Sequence, residues 1–235
     1  MSDTPVLAVE DLGVTYGKVT ALHDVDVEVD AGETVGVIGP NGAGKSTFVD
    51  TVSGFLEYEG SIRVNGVEVA ETSTQDLIRD GLFYCTERRD LFDYMSVEQN
   101  LRLGSYLNED GEDERLREVF DLFPRLEERR DQEAGTLSGG EAQMLSLGRG
   151  LMSDPEFLIL DEPSIGLAPV ILEDISEALH QITELDVTVM ICEQNITFAL
   201  EHADRLYLLE NGTVRQTGTP EGLQSTEFVE SFMGG

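Results

Sequence analysis

The chain has 235 residues, 40% of them apolar, with 24 glycines, 7 prolines and 2 cysteines, enough to bury a core in one α/β-sized unit. This excludes a disordered, collagen-like or disulfide-stapled protein, and no run approaches the ~18–20 apolar residues of a membrane span. Forty-seven Asp and Glu against 15 Lys and Arg give a net charge of −32, which argues against a broad nucleic-acid-binding face. The first residues, MSDTPVLAVE, carry an acid where a secretion signal would be basic, so a soluble, cytosolic chain is expected. Cys85 and Cys192 have no metal spacing and read as reduced, packed thiols. Lys18 and Lys45 are the only lysines beside thirteen arginines. Acids scattered along the whole chain with so little lysine are expected of a halophile, whose molar salt screens repulsion within about 3 Å. An acidic docking face for a basic partner is the alternative, and it would concentrate the acids in blocks.

In chain order, Val6, Ala8 and Leu12, then Val25, Val27 and Val29 between acids, alternate with the period of half-buried strands. Thr34 to Ile38 (TVGVI) reads as a buried strand ending at Gly-Pro, followed by a helix over Phe48 to Gly54. Asn65-Gly66 between Ser61–Val64 and Val67–Val69 signals a two-residue hairpin turn. From Ser96 to Met152 the period becomes helical, with Leu116, Val119, Phe120, Phe123 and Leu126 on one face until Pro124 disturbs the last turn, and Asn108 to Glu114 reads as a solvated acidic loop. Strands return at Phe157 to Leu160 and Val187 to Cys192, spaced by a helix over Pro169 to Leu185. A last hairpin is expected at Asn211-Gly212 after Leu206 to Leu209. The helical stretch, about 88–153, reads as an insertion into a single unit spanning 1–235.

Residues Gly39, Pro40, Asn41, Gly42, Ala43, Gly44, Lys45, Ser46 and Thr47 spell GPNGAGKST, the G-x-x-x-x-G-K-[ST] phosphate loop, between the expected strand and helix. Its glycines let backbone approach phosphate oxygens, the helix start supplies N–H groups, Lys45 adds a mobile charge and Ser46 a hydroxyl for Mg²⁺. Phe157 to Glu162 (FLILDE) ends an apolar strand in two carboxylates. Alone, such a run is commonly a strand leaving the core; beside a phosphate loop, Asp161 is a candidate to hold Mg²⁺ through water and Glu162 to act as general base. Leu137 to Gln143 (LSGGEAQ) opens a helix 23 positions before Asp161 with a hydroxyl and two glycines, a second anion nest. One nucleotide does not need two nests. A dimer in which Ser138, Gly139 and Gly140 of each copy close over the γ-phosphate on the other copy's Lys45 explains both.

With the phosphate loop, LSGGE and FLILDEP in this order and at this interval, the chain resembles the ATP-binding cassette family over its whole length. The resemblance implies an α/β fold: a P-loop NTPase (RecA-like) core with an antiparallel β subdomain and an inserted helical subdomain. It also implies a head-to-tail cassette dimer, of identical or paralogous copies, that sandwiches ATP and drives transmembrane permease subunits. By position Tyr16 resembles the aromatic residue that stacks on adenine, and Glu141 belongs to the signature that meets the nucleotide. Three positions depart from the usual pattern: Glu87 stands where most cassettes have a glutamine sensing Mg²⁺, Ala168 where they have an aspartate, and Gln194 where they have the switch histidine. Glu87 can reach a metal through water but repels phosphate, and Gln194 can donate a hydrogen bond but cannot titrate.

SIGLAP, EQN, TERRDLF, FPRLEERR and the Met-Gly-Gly end are similar to an ATPase subunit of branched-chain amino-acid importers, with urea and amide importers next. The expectation is an ATP hydrolase using Glu162 and Gln194, peripheral on the cytoplasmic face of the membrane. It would contact an extracytoplasmic solute-binding protein only indirectly, and no nucleic acid. Arg88 and Arg89 are candidate permease contacts; His23, His180 and His202 read as separate structural residues. A soluble repair or translation cassette would carry a coiled-coil insert, a tandem copy or basic segments, and a small-molecule kinase would leave LSGGE without a use.

Overall fold

A computed structural model describes residues 4–224; the Met-Gly-Gly end lies outside them. In chain order the elements are β1 (Leu7–Tyr16), β2 (Val19–Val29), β3 (Thr34–Ile38), α1 (Lys45–Val52), β4 (Glu59–Val64), β5 (Val67–Glu68), α2 (Thr74–Arg79) and β6 (Leu82–Cys85). Then follow α3 (Val97–Gly104), α4 (Glu112–Leu122), α5 (Pro124–Glu127), α6 (Gly139–Leu151), β7 (Phe157–Asp161) and α7 (Pro169–Glu184). The chain continues through β8 (Thr188–Glu193), α8 (Ile196–His202), β9 (Arg205–Glu210), β10 (Thr213–Gly218) and α9 (Pro220–Gln224).

Two sheets organise them. An antiparallel sheet runs β2-β1-β4-β5, and a six-stranded sheet runs β10-β9-β3-β8-β7-β6, parallel except for β10 at its edge. The strands β3, β7 and β8 are buried along their whole length, as parallel strands covered on both faces must be. Phe48, Phe157 and Met190 belong to a cluster between the two sheets, Leu145, Leu160 and Ile175 to a second under the helices. Each such side chain contributes roughly 1.5–3 kcal/mol by leaving water. Helices α3 to α6 lie between β6 and β7 in the chain.

Both Asn-Gly turns form, with Asn65 and Asn211 at φ 50° and Gly66 and Gly212 at φ 79° and 78°. Positive φ at both central positions is what the right-handed twist of a tight hairpin asks for. Several local expectations are corrected. In β1 the buried face is Leu7, Val9, Leu12 and Val14, while Ala8 is only half-buried, because a register shift between Val9 and Leu12, with Asp11 at φ 51°, breaks the period of two. Strand β5 stops at Glu68 and Val69 opens a 3₁₀ turn. Glu112, Asp113 and Glu114 form the first turn of α4 instead of loop, where their charge favours the positive helix end. Pro124 starts α5 rather than merely loosening α4. The helix after the phosphate loop begins at Lys45, three residues ahead of Phe48, and ends at Val52. Strand β6 was not anticipated, since LFYC is four residues long with no alternation in burial.

Candidate active site

Strand β3 delivers the chain to Gly39, whose N–H donates to the Glu193 carbonyl at 3.3 Å. A Cβ at Gly39 would sit 2.2 Å from the Leu209 carbonyl oxygen, so only glycine lets the loop lie against β9. Gly44, at φ 110°, caps α1 without a side chain, leaving the first-turn N–H groups free for an anion. Ala43 is buried and its N–H donates to the Pro40 carbonyl at 3.1 Å, while Asn41 and Gly42 face solvent. Gly42, Gly44, Lys45, Ser46 and Thr47 line a cleft of about 450 Å³ closed on its far side by Val19, Thr20 and the Asn211-Gly212 turn. Tyr16 is half-exposed directly across the β1–β2 hairpin from Val19. A larger hollow, about 920 Å³, lies beside Pro155, Glu156, Val187 and Thr188, at the amino ends of β7 and β8, and none of the motif residues lines it. Ligands of parallel sheets sit past the carboxyl ends of the strands, which is where the smaller cleft lies.

Strand β7 ends at Asp161 and Glu162 follows it, 3% and 8% exposed, with Glu162 reaching the cleft's Lys45. The Lys45 ammonium donates to the Gly39 carbonyl at 2.8 Å and pairs with Glu162 Oε1 at 3.0 Å. Glu162 Oε2 accepts from the Gln194 backbone N–H at 3.1 Å, and the Glu162 N–H donates to the Cys192 carbonyl at 2.8 Å. Glu162 itself lies at φ 51°, a strained conformation for a residue with a Cβ and one typical of functional positions. The Gln194 side chain is exposed.

Asp161 accepts at Oδ2 from the Tyr84 hydroxyl, 3.2 Å away; that hydroxyl is also 3.3 Å from Asp50 Oδ1. Burial pushes the Asp161 carboxyl up to about 6, against the Tyr84 and Ser46 hydroxyls and with the Glu162 and Glu87 charges adding to the rise. Its Oδ1 is buried with no partner. An orphaned, destabilised carboxylate oxygen beside a phosphate cleft is what a hard cation would satisfy. Among the described residues no trio of His, Cys, Asp or Glu forms a cation cage. Such an ion would therefore draw oxygens from phosphate and hydroxyl groups as well.

The signature segment forms a capped helix start. Ser138 Oγ accepts from the Glu141 N–H at 3.3 Å, and Glu141 Oε2 accepts from the Ser138 N–H and hydroxyl, both at 2.9 Å. Glu141 Oε1 pairs with Arg129 at 2.8 Å. Burial raises the Glu141 carboxyl, but the Ser138 bonds and the arginine outweigh it and hold the group below its ordinary value. The carboxylate is thus turned onto its own helix end, and what it offers is a rigid Ser138. Ser138 and Gly139 are exposed, and none of residues 138–141 lines the phosphate-loop cleft of the same chain.

Among the other candidates, Glu87 and Arg88 are exposed, whereas Arg89 is committed to the chain itself, donating to Gln143 Oε1 at 2.7 Å. Ala168 is the N-cap of α7. His180 and His202 do not stand apart: their rings lie 5.3 Å from each other, with the Ser176 hydroxyl 2.9 Å from His202 Nε2. Tyr84, Asp50 and Glu193 escaped the reading of the sequence. Only the apolar strand carrying Tyr84 and the Cys-Glu-Gln-Asn run carrying Glu193 could have signalled them.

The ABC transporter family model matches residues 22–165, more than half of the chain and inclusive of the phosphate loop, Ser138–Glu141 and the Asp161-Glu162 pair. The chain belongs to the ABC transporter family. Over 233 residues this cassette is 44% identical to the high-affinity branched-chain amino acid transport ATP-binding protein BraG of Pseudomonas aeruginosa, covering 98% of this chain and 100% of that one. It is 33% identical over 227 residues to the probable branched-chain amino acid transport ATP-binding protein LivF of Archaeoglobus fulgidus, covering 95% and 96%. Among solved structures the cassette superposes at a TM-score of 0.87 on an ATP-binding cassette of an ABC transporter in its ADP conformation, at 26% identity and 99% coverage of both chains. The α/β P-loop NTPase fold that the family resemblance implies is therefore the fold of this cassette.

Proposed function

We propose that this chain is the ATP-hydrolysing subunit of an importer, that branched-chain amino acids are the transported class, and that it works as a peripheral protein on the cytoplasmic face of the membrane. The hydrolase reading is carried by one observation: the cleft-lining lysine of the phosphate loop and a buried carboxylate at a strained backbone position meet at 3.0 Å. The transported class is supported by likeness to BraG and LivF. No helix among the described residues is long and apolar enough to cross a membrane, so translocation falls to permease subunits.

ATP phosphates take the cradle of residues 39–47, and Lys45 moves its charge from Glu162 onto them. Tyr16 flanks the cleft where an adenine ring can stack. The Ser46 hydroxyl and Asp161 would hold Mg²⁺, with Glu87 reaching it through water; when bound, the ion offsets charge on the phosphate oxygens. Glu162, released from Lys45, accepts a proton from the attacking water while the Gln194 N–H holds its second oxygen and the Gln194 amide is free to donate to phosphate. Ser138, Gly139 and Gly140 serve a second cassette, identical or paralogous, since they do not line their own chain's cleft. Arg88, Phe92 and Tyr94, all exposed, suit the loop 87–94 to a permease, and the solute-binding protein acts only through that permease. The scattered acids and scarce lysine suit a halophilic cell.

The test is Glu162→Gln with ATP. It is expected to bind nucleotide, lose turnover by roughly 10²–10⁴-fold and accumulate as a dimer on size exclusion. A monomeric variant with full activity refutes the assignment, and failure to copurify with a permease refutes the transport role.

A further inference from the structure

Glu193 ends β8 with 0% exposure, and among the described residues no cation pairs with it. Its carboxylate instead accepts two backbone N–H groups from different loops: Ser164 at 2.8 Å, two residues past Glu162, and Asn195 at 3.2 Å, one residue past Gln194. Its own carbonyl accepts the Gly39 N–H at 3.3 Å. The phosphate loop, the segment after Glu162 and the segment after Gln194 therefore converge on one buried residue. Burial drives this carboxyl up, the Ser164 bonds oppose the rise, and the charge of Glu162 adds to it. A buried anion without a cation is expensive, and this one stands close to where phosphates are to be seated. A carboxylate is the side chain that presents two fixed acceptors to two donors; glutamine keeps one acceptor and turns an N–H₂ against the other N–H.

We infer that Glu193 is a positioning residue for hydrolysis, holding the Ser164 loop and the Gln194-Asn195 segment at fixed separation on either side of Glu162. The inference rests on the reading of Glu162 as the hydrolytic base. Asn195 connects the two: its N–H goes to Glu193, and the preceding N–H, of Gln194, goes to Glu162 Oε2. Slackening of Glu193 would then reach Glu162 as displacement of its partner, while the phosphate cradle, built on Gly39, Gly44 and α1, keeps its shape.

The experiment compares wild type, Glu193→Gln, Asn195→Pro, Asn195→Ala and Glu162→Gln. Each is measured for binding of trinitrophenyl-ATP and for ATP hydrolysis, with kcat expressed per nucleotide-binding site. Glu193→Gln is expected to bind within about threefold of wild type, with kcat per site falling roughly 10- to 100-fold and KM nearly unchanged. Loss of fold alone would lower the number of sites and leave kcat per site intact. Asn195 lies at φ −75°, which suits proline. Both Asn195 variants lose the side-chain cap on the Phe198 N–H, but only proline loses the N–H given to Glu193, so Asn195→Pro should hydrolyse about tenfold more slowly than Asn195→Ala. A Glu193→Gln kcat within about twofold of wild type, or equal rates for the two Asn195 variants, overturns the inference. If Glu193→Gln does not fold, the Asn195 pair decides. If Glu162→Gln hydrolyses at the wild-type rate, the underlying reading of Glu162 fails, whichever way the Glu193 variants behave.

Discussion

Replacing Glu162 by glutamine should alter the nucleotide-free protein as well as its turnover. The Lys45–Glu162 pair is 5% and 9% exposed at its side chains and 3.0 Å long. Removing one partner of such a pair costs about 3–5 kcal/mol when the other charge is left alone. Here Lys45 keeps the Gly39 carbonyl at 2.8 Å and the Pro40 carbonyl at 3.5 Å, and the glutamine oxygen remains an acceptor, so a loss of roughly 1–3 kcal/mol is expected. In a chain of this size that lowers Tm by about 2–12 °C. In the bound state phosphates take over Lys45 in both proteins, and wild-type Glu162 repels them. The variant should therefore bind ATP more tightly, by about fivefold or more, at 1.4 kcal/mol per factor of ten. Thermal melts and equilibrium binding with ATP and a chelator, in molar potassium chloride, read both effects; a buried pair is little screened by that salt. An unchanged Tm together with equal or weaker ATP affinity would falsify the view that Lys45 is shared between Glu162 and phosphate.

Gly39→Ala forces a Cβ to 2.2 Å from the Leu209 carbonyl, and should lose about 1–3 kcal/mol of stability in a chemical denaturation curve and most ATP binding; a wild-type curve would show that β9 can simply retreat. Burial pushes the Cys85 thiol up to about 12 from an ordinary 9, so a disulfide reagent at pH 8 should label it only after unfolding. Because the folded state keeps this proton longer than the unfolded chain, stability from this group is constant below pH 9 and declines between about 9 and 12. Rapid native labelling, or melts flat across that window, contradict the packing. With a net charge of −32, helicity by circular dichroism should hold in molar potassium chloride and fall on dilution. Identical spectra would remove the halophile reading.

Motif chemistry was legible because it is local. The order of strand, glycine-rich loop and helix around Lys45, the carboxylates after an apolar strand, and a serine opening a helix each declare themselves within about ten residues. What escaped depends on distant parts of the chain. The Lys45–Glu162 contact joins segments that follow β3 and β7, with β8 between them, Tyr84 reaches Asp50 on α1 and Asp161 on β7, and His202 meets His180 because α8 packs on α7. Glu193 is the sharpest case, for a lone acid after an apolar strand has the pattern of a residue entering solvent, and its burial follows only from the two loops folded over it. The buried face of β1 was misjudged for a local reason: one residue at positive φ transfers the apolar phase from odd to even positions.

The Asn211-Gly212 turn holds a last consequence. Its Gly212 N–H donates to the Ala43 carbonyl at 2.9 Å, its carbonyl accepts the His23 N–H at 2.8 Å, and a Cβ there would lie 2.3 Å from the Ala21 carbonyl. Tight hairpin ends at a protein's periphery are ordinarily good places to splice in a tag, since lengthening a loop carries a small entropic penalty. Here a single extra residue would pull the rear of the nucleotide seat away from the β1–β2 layer, so engineering of this protein should route epitopes after Gly66, which has nothing within 4 Å of a Cβ position, and leave Asn65 on its Val6 and Asp80 partners.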